Sequence, residues 1–198
     1  MYQLTSVASA SLVAALSLAG CAAIDSAGWE TLIDGANGME NFTDLGGANW
    51  RAEGGAIVAD RRPDNDSTFL VSRKSYKDFQ LRVEFWVSDD ANSGIYMRCS
   101  DARPMTDRTC YEANIFDRRP DPIYGTGAIV HLSPVSPMPK AGGKWNTFDI
   151  TAKGRRLTVI LNGVQTAQAN DDKLPAGPIA LQYAGGIVKF RKVQIQPL

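Results

Sequence analysis

Residues 78–87 read DFQLRVEFWV. Phe79, Leu81, Val83, Phe85 and Val87 fall on one parity; Gln80, Arg82, Glu84 and Trp86 fall on the other. A period of two places one set on a buried sheet face and the other outside it, which a helix would not do. Further apolar runs lie at 56–59, 68–72, 94–99, 111–116, 128–132, 146–152, 157–161, 164–167, 179–183 and 187–195. Gly, Pro, Asn and Asp punctuate them, as in a β-sandwich or barrel. Asn162-Gly163 lies between LTVIL and VQTA and predicts a two-residue hairpin, because both central residues of a type I′ turn need positive φ. Lys153-Gly154 predicts a second tight turn. Val188 and Phe190 share one parity, Val193 and Ile195 the other, so a bulge near Arg191-Lys192 is expected. Outside the N-terminal segment no ten-residue stretch carries helical periodicity. The fold is therefore predicted to be all-β, in a single domain over 28–198.

The first 24 residues carry none of the chain's charged side chains. Residues 12–19 (LVAALSLA) have the length of a signal h-region and are too short to span a membrane. The run ends Leu18-Ala19-Gly20-Cys21, which resembles a bacterial lipobox. On that reading 1–20 is a lipoprotein signal peptide and Cys21 is the lipidated residue, with a short linker over 21–27. Ala22 after the Cys resembles the outer-membrane sorting pattern, so the domain would face the periplasm on a lipid anchor. Acyl chains contribute about 0.8 kcal/mol per buried methylene, so several hold firmly.

The mature part holds 21 Lys+Arg against 21 Asp+Glu. Zero balance removes the broad positive field that nucleic-acid binding needs. One His and three Cys fall short of a four-ligand zinc site.

Chemistry-bearing residues concentrate between Asn92 and His131. Strand parity puts Tyr96 and Arg98 on one face, and Glu112 and Asn114 on one face of the next strand. Asp117 has the wrong parity unless a bulge or strand end turns it. A strand face with Arg, Glu and Asn suits a sugar groove; an ordinary solvated face with a surface ion pair is the plainer alternative. Glu112-x-Asn114-x-x-Asp117 is a degenerate form of the E-x-D-x-x-E of retaining sandwich glycosidases, and marks a groove rather than ordinary glycoside hydrolysis. His131 is a candidate general acid or base, or a structural imidazole. Trp86, out of phase with Phe85 and Val87, is the best exposed ring for stacking on a sugar. A disulfide between Cys99 and Cys110 stays open: export permits it, whereas strand parity puts the two on opposite faces.

Taken in order, several pieces of the chain are familiar together. They are Leu32-Ile33-Asp34-Gly35, Tyr76-Lys77-Asp78-Phe79, Asn92-Ser93-Gly94-Ile95…Arg98, Tyr111-Glu112-Ala113-Asn114-Ile115…Asp117, Lys144-Trp145-Asn146, Leu161-Asn162-Gly163, Leu181-Gln182 and Phe190-Arg191. The set resembles the 3-keto-disaccharide hydrolase family across about residues 28–198. The resemblance implies a concanavalin A-like jelly-roll sandwich. It also implies cleavage of 3-keto-glycosides, by hydrolysis or by 1,2-elimination and hydration. Carried over by motif, Arg98 would polarise the keto oxygen or bind hydroxyls. Glu112 would act as base or acid, or as a ligand if a divalent metal takes part. Asn114 and Asp117 would orient sugar hydroxyls, with Tyr96 and Gln182 in the same groove. The chain departs from the family at Ala184, where a His is common, at Asn114, where Gln is common, and at Lys192, where Asn is usual. With Ala184 unable to do acid–base work, His131 is the remaining imidazole. A compact cluster of Glu112, Arg98, Asp117 and His131 would favour an enzyme. An open groove lined by Trp86 and Tyr96 would favour a non-catalytic carbohydrate-binding module, and a flat face an envelope interaction lipoprotein.

Overall fold

The alternating segment forms the long central strand that its pattern predicts. Phe79, Leu81, Val83, Phe85 and Val87 are all but fully buried, while Gln80 and Arg82 are exposed. The computed structural model describes residues 27–100 and 104–198. The export signal at 1–20, Cys21 and the linker as far as residue 26 lie outside the described residues. Thirteen strands are present among the described residues. In chain order they are β1 (Glu30–Asp34), β2 (Phe42–Leu45), β3 (Arg51–Glu53), β4 (Ala56–Ala59), β5 (Thr68–Tyr76), β6 (Phe79–Val87), β7 (Ser93–Met97), β8 (Tyr111–Ile115), β9 (Trp145–Lys153), β10 (Arg156–Leu161), β11 (Val164–Asn170), β12 (Gly177–Tyr183) and β13 (Val188–Pro197).

Two antiparallel sheets result. One runs β11-β10-β9-β6-β13-β4-β3, with β1 also paired to β13; the other runs β2-β5-β12-β7-β8. Their inner faces enclose one apolar core, in which Phe85 and Phe148 from the larger sheet and Leu70, Ile95 and Leu181 from the smaller are fully buried. Each such side chain contributes roughly 1.5–3 kcal/mol by leaving water. The fold is an all-β sandwich. The hairpin at Asn162-Gly163 has φ of 51° and 82°, as its turn type requires. The register of β13 against β6 shifts between Phe190 and Lys192, so the bulge restores a single core face.

Two expectations need correction. Residues 128–132 form no strand of their own. They lie along the free edge of β8 through Asn114 N–H to Ala128 O, Val130 N–H to Glu112 O and an isolated bridge from Ala113 to Ile129. Left-handed backbone at Gly127 and His131 (φ 89° and 64°) ends the extended run at both sides. The second concerns β7. It stops at Met97, and Arg98 takes a left-handed φ of 49°, so strand parity does not extend to Arg98 or Cys99.

The outer face of the smaller sheet is thereby set apart. Register brings Tyr96 opposite both Glu112 and Ala180, and Gln182 opposite Phe69. These side chains point away from the core. Residues 105–107, and Arg119 from the excursion between β8 and β9, lie over them.

Candidate functional site

Glu112 sits at the floor of this covered face, only 4 % exposed. It fits because residue 94 is a glycine: a Cβ there would lie 2.6 Å from Glu112 Oε1. The pocket above it has a volume of about 260 Å³, and Tyr96, Gln182, Asp107, Arg119 and Asn92 line it with Glu112. Gln182 Nε2 donates to Tyr96 Oη (3.0 Å) and to Ser67 Oγ (3.2 Å). The Tyr96 hydroxyl also stands near the Glu112 carboxyl and favours its ionised form. Gln182 Oε1 is buried without a protein partner, an acceptor left for a donor outside the chain.

Burial drives the electrostatics of Glu112. Loss of water pushes its pKa up from the ordinary 4.5 to about 8, and the neighbouring Asp107 charge pushes the same way. The nearby Tyr96 hydroxyl and the Arg119 guanidinium oppose that rise. Tyr96 itself is raised beyond its usual range, first by burial and then by Glu112 and Asp107. A carboxyl poised near neutrality beside a cation can both take and return a proton.

His131 reaches this pocket at second hand. Its Nε2 lies 2.9 Å from Asp107 Oδ2, while its ring stands 6.0 Å from Tyr124. The position of the absent family imidazole, Ala184, donates its N–H to Asn92 O, on the Asn92 side of the pocket. Cys99 and Cys110 form a disulfide. The turn at Arg98 overrides the parity that set them apart, and the closed loop carries Asp107.

Four of the expected site residues stand elsewhere. Arg98 is 1 % exposed and turned toward the end of the sandwich. Its Nε donates to Lys77 O (2.6 Å), Nη1 to Gly154 O (2.8 Å) and Nη2 to Asp78 Oδ1 (2.9 Å). It ties the β5–β6 and β9–β10 turns together, because the left-handed residue reverses the side chain's direction. Asp117 accepts from Thr126 Oγ1 (2.6 Å), Ala141 N (2.9 Å) and Gly142 N (2.9 Å), and so closes the long excursion at its two ends. Asn114 shares the Glu112 face but lies beneath the excursion, with Nδ2 donating to Tyr124 O (2.6 Å) and Oδ1 buried without a protein partner. Trp86 belongs to the outer face of the other sheet, under the Lys189 ammonium at 4.6 Å. The compact cluster of Glu112, Arg98, Asp117 and His131 that would have favoured an enzyme is therefore not formed.

Sequence reading missed Arg119 and Asp107. Both lie in loops, where strand parity gives no direction. The one available signal was the cysteine pair flanking Asp107. A resident zinc takes at least three protein ligands. The pocket offers the carboxylates Glu112 and Asp107, and among the described residues no three His, Cys, Asp or Glu side chains stand close enough to hold a metal ion.

The model of the 3-keto-alpha-glucoside-1,2-lyase-like domain matches residues 28–196. The chain belongs to that family. Membership in the lyase-like family makes it a carbohydrate-acting, hydrolase-like protein. No curated protein sequence matches the chain. Among solved structures, a presumed glycosyl hydrolase from Parabacteroides distasonis is similar over 86 % of this chain and 99 % of its own, with a TM-score of 0.69 and 22 % identity. A Bacillus subtilis protein of unknown function with a galectin-like fold is similar over 83 % and 93 %, with a TM-score of 0.65 and 10 % identity. A carbohydrate binding module from Bacillus subtilis is similar over 85 % and 95 %, with a TM-score of 0.54 and 16 % identity. At these identities the likeness is one of fold, and it agrees with a jelly-roll sandwich for this lyase-like domain.

Proposed function

We propose that this domain cleaves 3-keto-glycosides by eliminating the C1 substituent across C1–C2. The observation that carries the reading is Glu112, a buried carboxyl raised to about 8, held in one pocket with Arg119. A ketone at C3 acidifies the C2 hydrogen. The ionised Glu112 takes that proton, and the negative charge moves onto the C3 oxygen. Arg119, the cation of the pocket, stabilises the developing enolate there. The enolate electrons then re-form the C3 carbonyl as C1=C2 forms and the C1–O bond breaks. The departing oxygen needs one proton, and Glu112 holds the one it took, so the step balances without a co-reactant. Water added across C1=C2 completes the hydrolysis. Gln182 Oε1 and Asn92 supply polar partners for ring hydroxyls. Asp107 keeps Glu112 basic, and His131 positions Asp107 through their shared contact. No step is routed through a metal ion, because among the described residues no three His, Cys, Asp or Glu side chains are grouped to hold one. The family assignment supports a sugar substrate, and the lipobox-like sequence supports a role at the cell envelope, anchored through Cys21.

The test is turnover of 3-keto-glucosides by the domain over 28–198 and by its Glu112→Gln variant. The wild type is expected to release the C1 alcohol, with kcat/KM rising on an apparent pKa near 8. The variant is expected to lose about 10³-fold in kcat. Undiminished turnover in the variant would overturn the assignment. Binding of the parent glycan with no turnover of any keto-sugar would replace it with the binding-module reading.

A further inference from the structure

The polar pocket does not end at its own walls. Ser67, Phe69, Met105 and Thr106 also line a second cleft of about 510 Å³. Beyond the shared wall this cleft is completed by Leu45, Asp66 and Pro104. Register places Leu45 directly opposite Phe69, so both project from the same outer face of the smaller sheet. Leu45 and Met105 pack partly buried against the Phe69–Tyr96 cluster, in which the two rings meet edge to face at 5.0 Å. The two compartments thus share one aromatic partition, with proton-transfer groups on one side and mostly apolar side chains on the other.

We infer that this second cleft receives the group that leaves from C1, and that it selects an apolar, ring-bearing aglycone rather than a second sugar. The inference rests on the proposed cleavage in the Glu112 pocket. A second hexose brings several hydroxyls, each of which needs a partner when it leaves water. The cleft offers Asp66, Ser67 and Thr106 as polar side chains, and Ser67 Oγ already accepts from Gln182. An aromatic ring requires none of these bonds. It would rest against Leu45, Phe69, Pro104 and Met105, and a thioether beside a ring is a favourable contact. Continuity with the Glu112 pocket fixes the occupant as part of the same substrate molecule.

The experiment compares benzyl 3-keto-glucoside, as both anomers, with 3-keto-maltose. Benzyl alcohol is no better a leaving group than a sugar hydroxyl, so a preference reports the cleft rather than intrinsic reactivity. The wild type is expected to favour the benzyl glycoside by about tenfold in kcat/KM. Leu45→Asn should remove about tenfold on the benzyl substrate while 3-keto-maltose changes less than about twofold, and Leu45→Met should restore the preference. Cleavage of 3-keto-maltose with no benzyl preference, or an equal loss on both substrates in Leu45→Asn, would overturn the aglycone assignment alone. Failure to cleave either substrate would overturn the cleavage reading and this inference with it.

Discussion

Arg98 and Glu112 start as equals. Each is an ionisable side chain, each belongs to the smaller sheet or its immediate end, and each is nearly out of reach of water. Their surroundings differ in kind. Arg98 meets two backbone carbonyls and a carboxylate within 2.9 Å, so its charge is matched where it sits. Glu112 loses water and feels the like charge of Asp107, and the Tyr96 hydroxyl and Arg119 only partly offset this, so its charge is opposed. A matched buried charge is a tether. A mismatched one retains the capacity to change protonation state, which is what proton transfer needs. Burial alone does not separate the two; the balance of partners does.

The comparison breaks most visibly at Glu112. The loss of about 10³-fold in kcat expected for Glu112→Gln should come with a gain in stability at high pH. The folded carboxyl titrates at about 8 and the unfolded one near 4.5, so the unfolded state releases its proton first. The wild type therefore loses stability as pH rises between those values, by a few kcal/mol in total. Thermal melts at pH 9 should place the variant above the wild type, and the difference should shrink as pH falls toward 4.5. A variant that melts lower than the wild type at every pH would show that the Glu112 charge is matched after all.

Arg98→Met should behave in the opposite way. Removing the guanidinium leaves Asp78 and two carbonyls without their partner, at a cost of about 3–5 kcal/mol and a fall in Tm on the order of 10 °C. Below that transition, kcat on a 3-keto-glucoside should stay within about threefold of wild type. An intact Tm with abolished turnover would return Arg98 to the chemistry.

Arg119→Gln tests the group that takes the role the family resemblance implied for Arg98. Turnover should fall about 10²-fold, since one stabilising charge is lost while the fold is kept. The apparent pKa of the kcat/KM profile should also move upward, because Arg119 favours the ionised form of Glu112. An unmoved profile would separate the two residues. The smallest effect is expected at Trp86, across the core from the pocket. Trp86→Ala should cost about 1 kcal/mol, through the lost contact with Lys189, and leave kcat/KM unchanged within about twofold.

Strand register explains what was legible beforehand. The alternation of β6, the Asn162-Gly163 turn and the bulge after Phe190 follow from period and turn chemistry, and all are present. The shared face of Tyr96 and Glu112 follows from the same rule, because β7 and β8 are regular where they pair. Legibility stops where the backbone leaves the extended region. One left-handed residue at Arg98 redirects that side chain and brings Cys99 to Cys110. Arg119 and Asp107 reach the pocket on loops whose course is set by contacts distant in sequence. β1, β2 and β3 (ETLID, FTDL and RAE) escaped a periodic reading because none of them contains alternating apolar residues.

The missing side chain at residue 94 has a consequence for how this sequence can change. Any Cβ at that position would press on the Glu112 carboxyl from its paired strand. Gly94 and Glu112 are thus coupled: an alanine at 94 would force the Glu112 carboxyl to move from its present place. A descendant that gives up the carboxyl frees residue 94 to drift, and one that fills residue 94 while keeping the acid must hold it in a different place. Alanine or serine at this one site would therefore mark, from sequence alone, a sandwich in which the proton-transfer group has been shifted or lost.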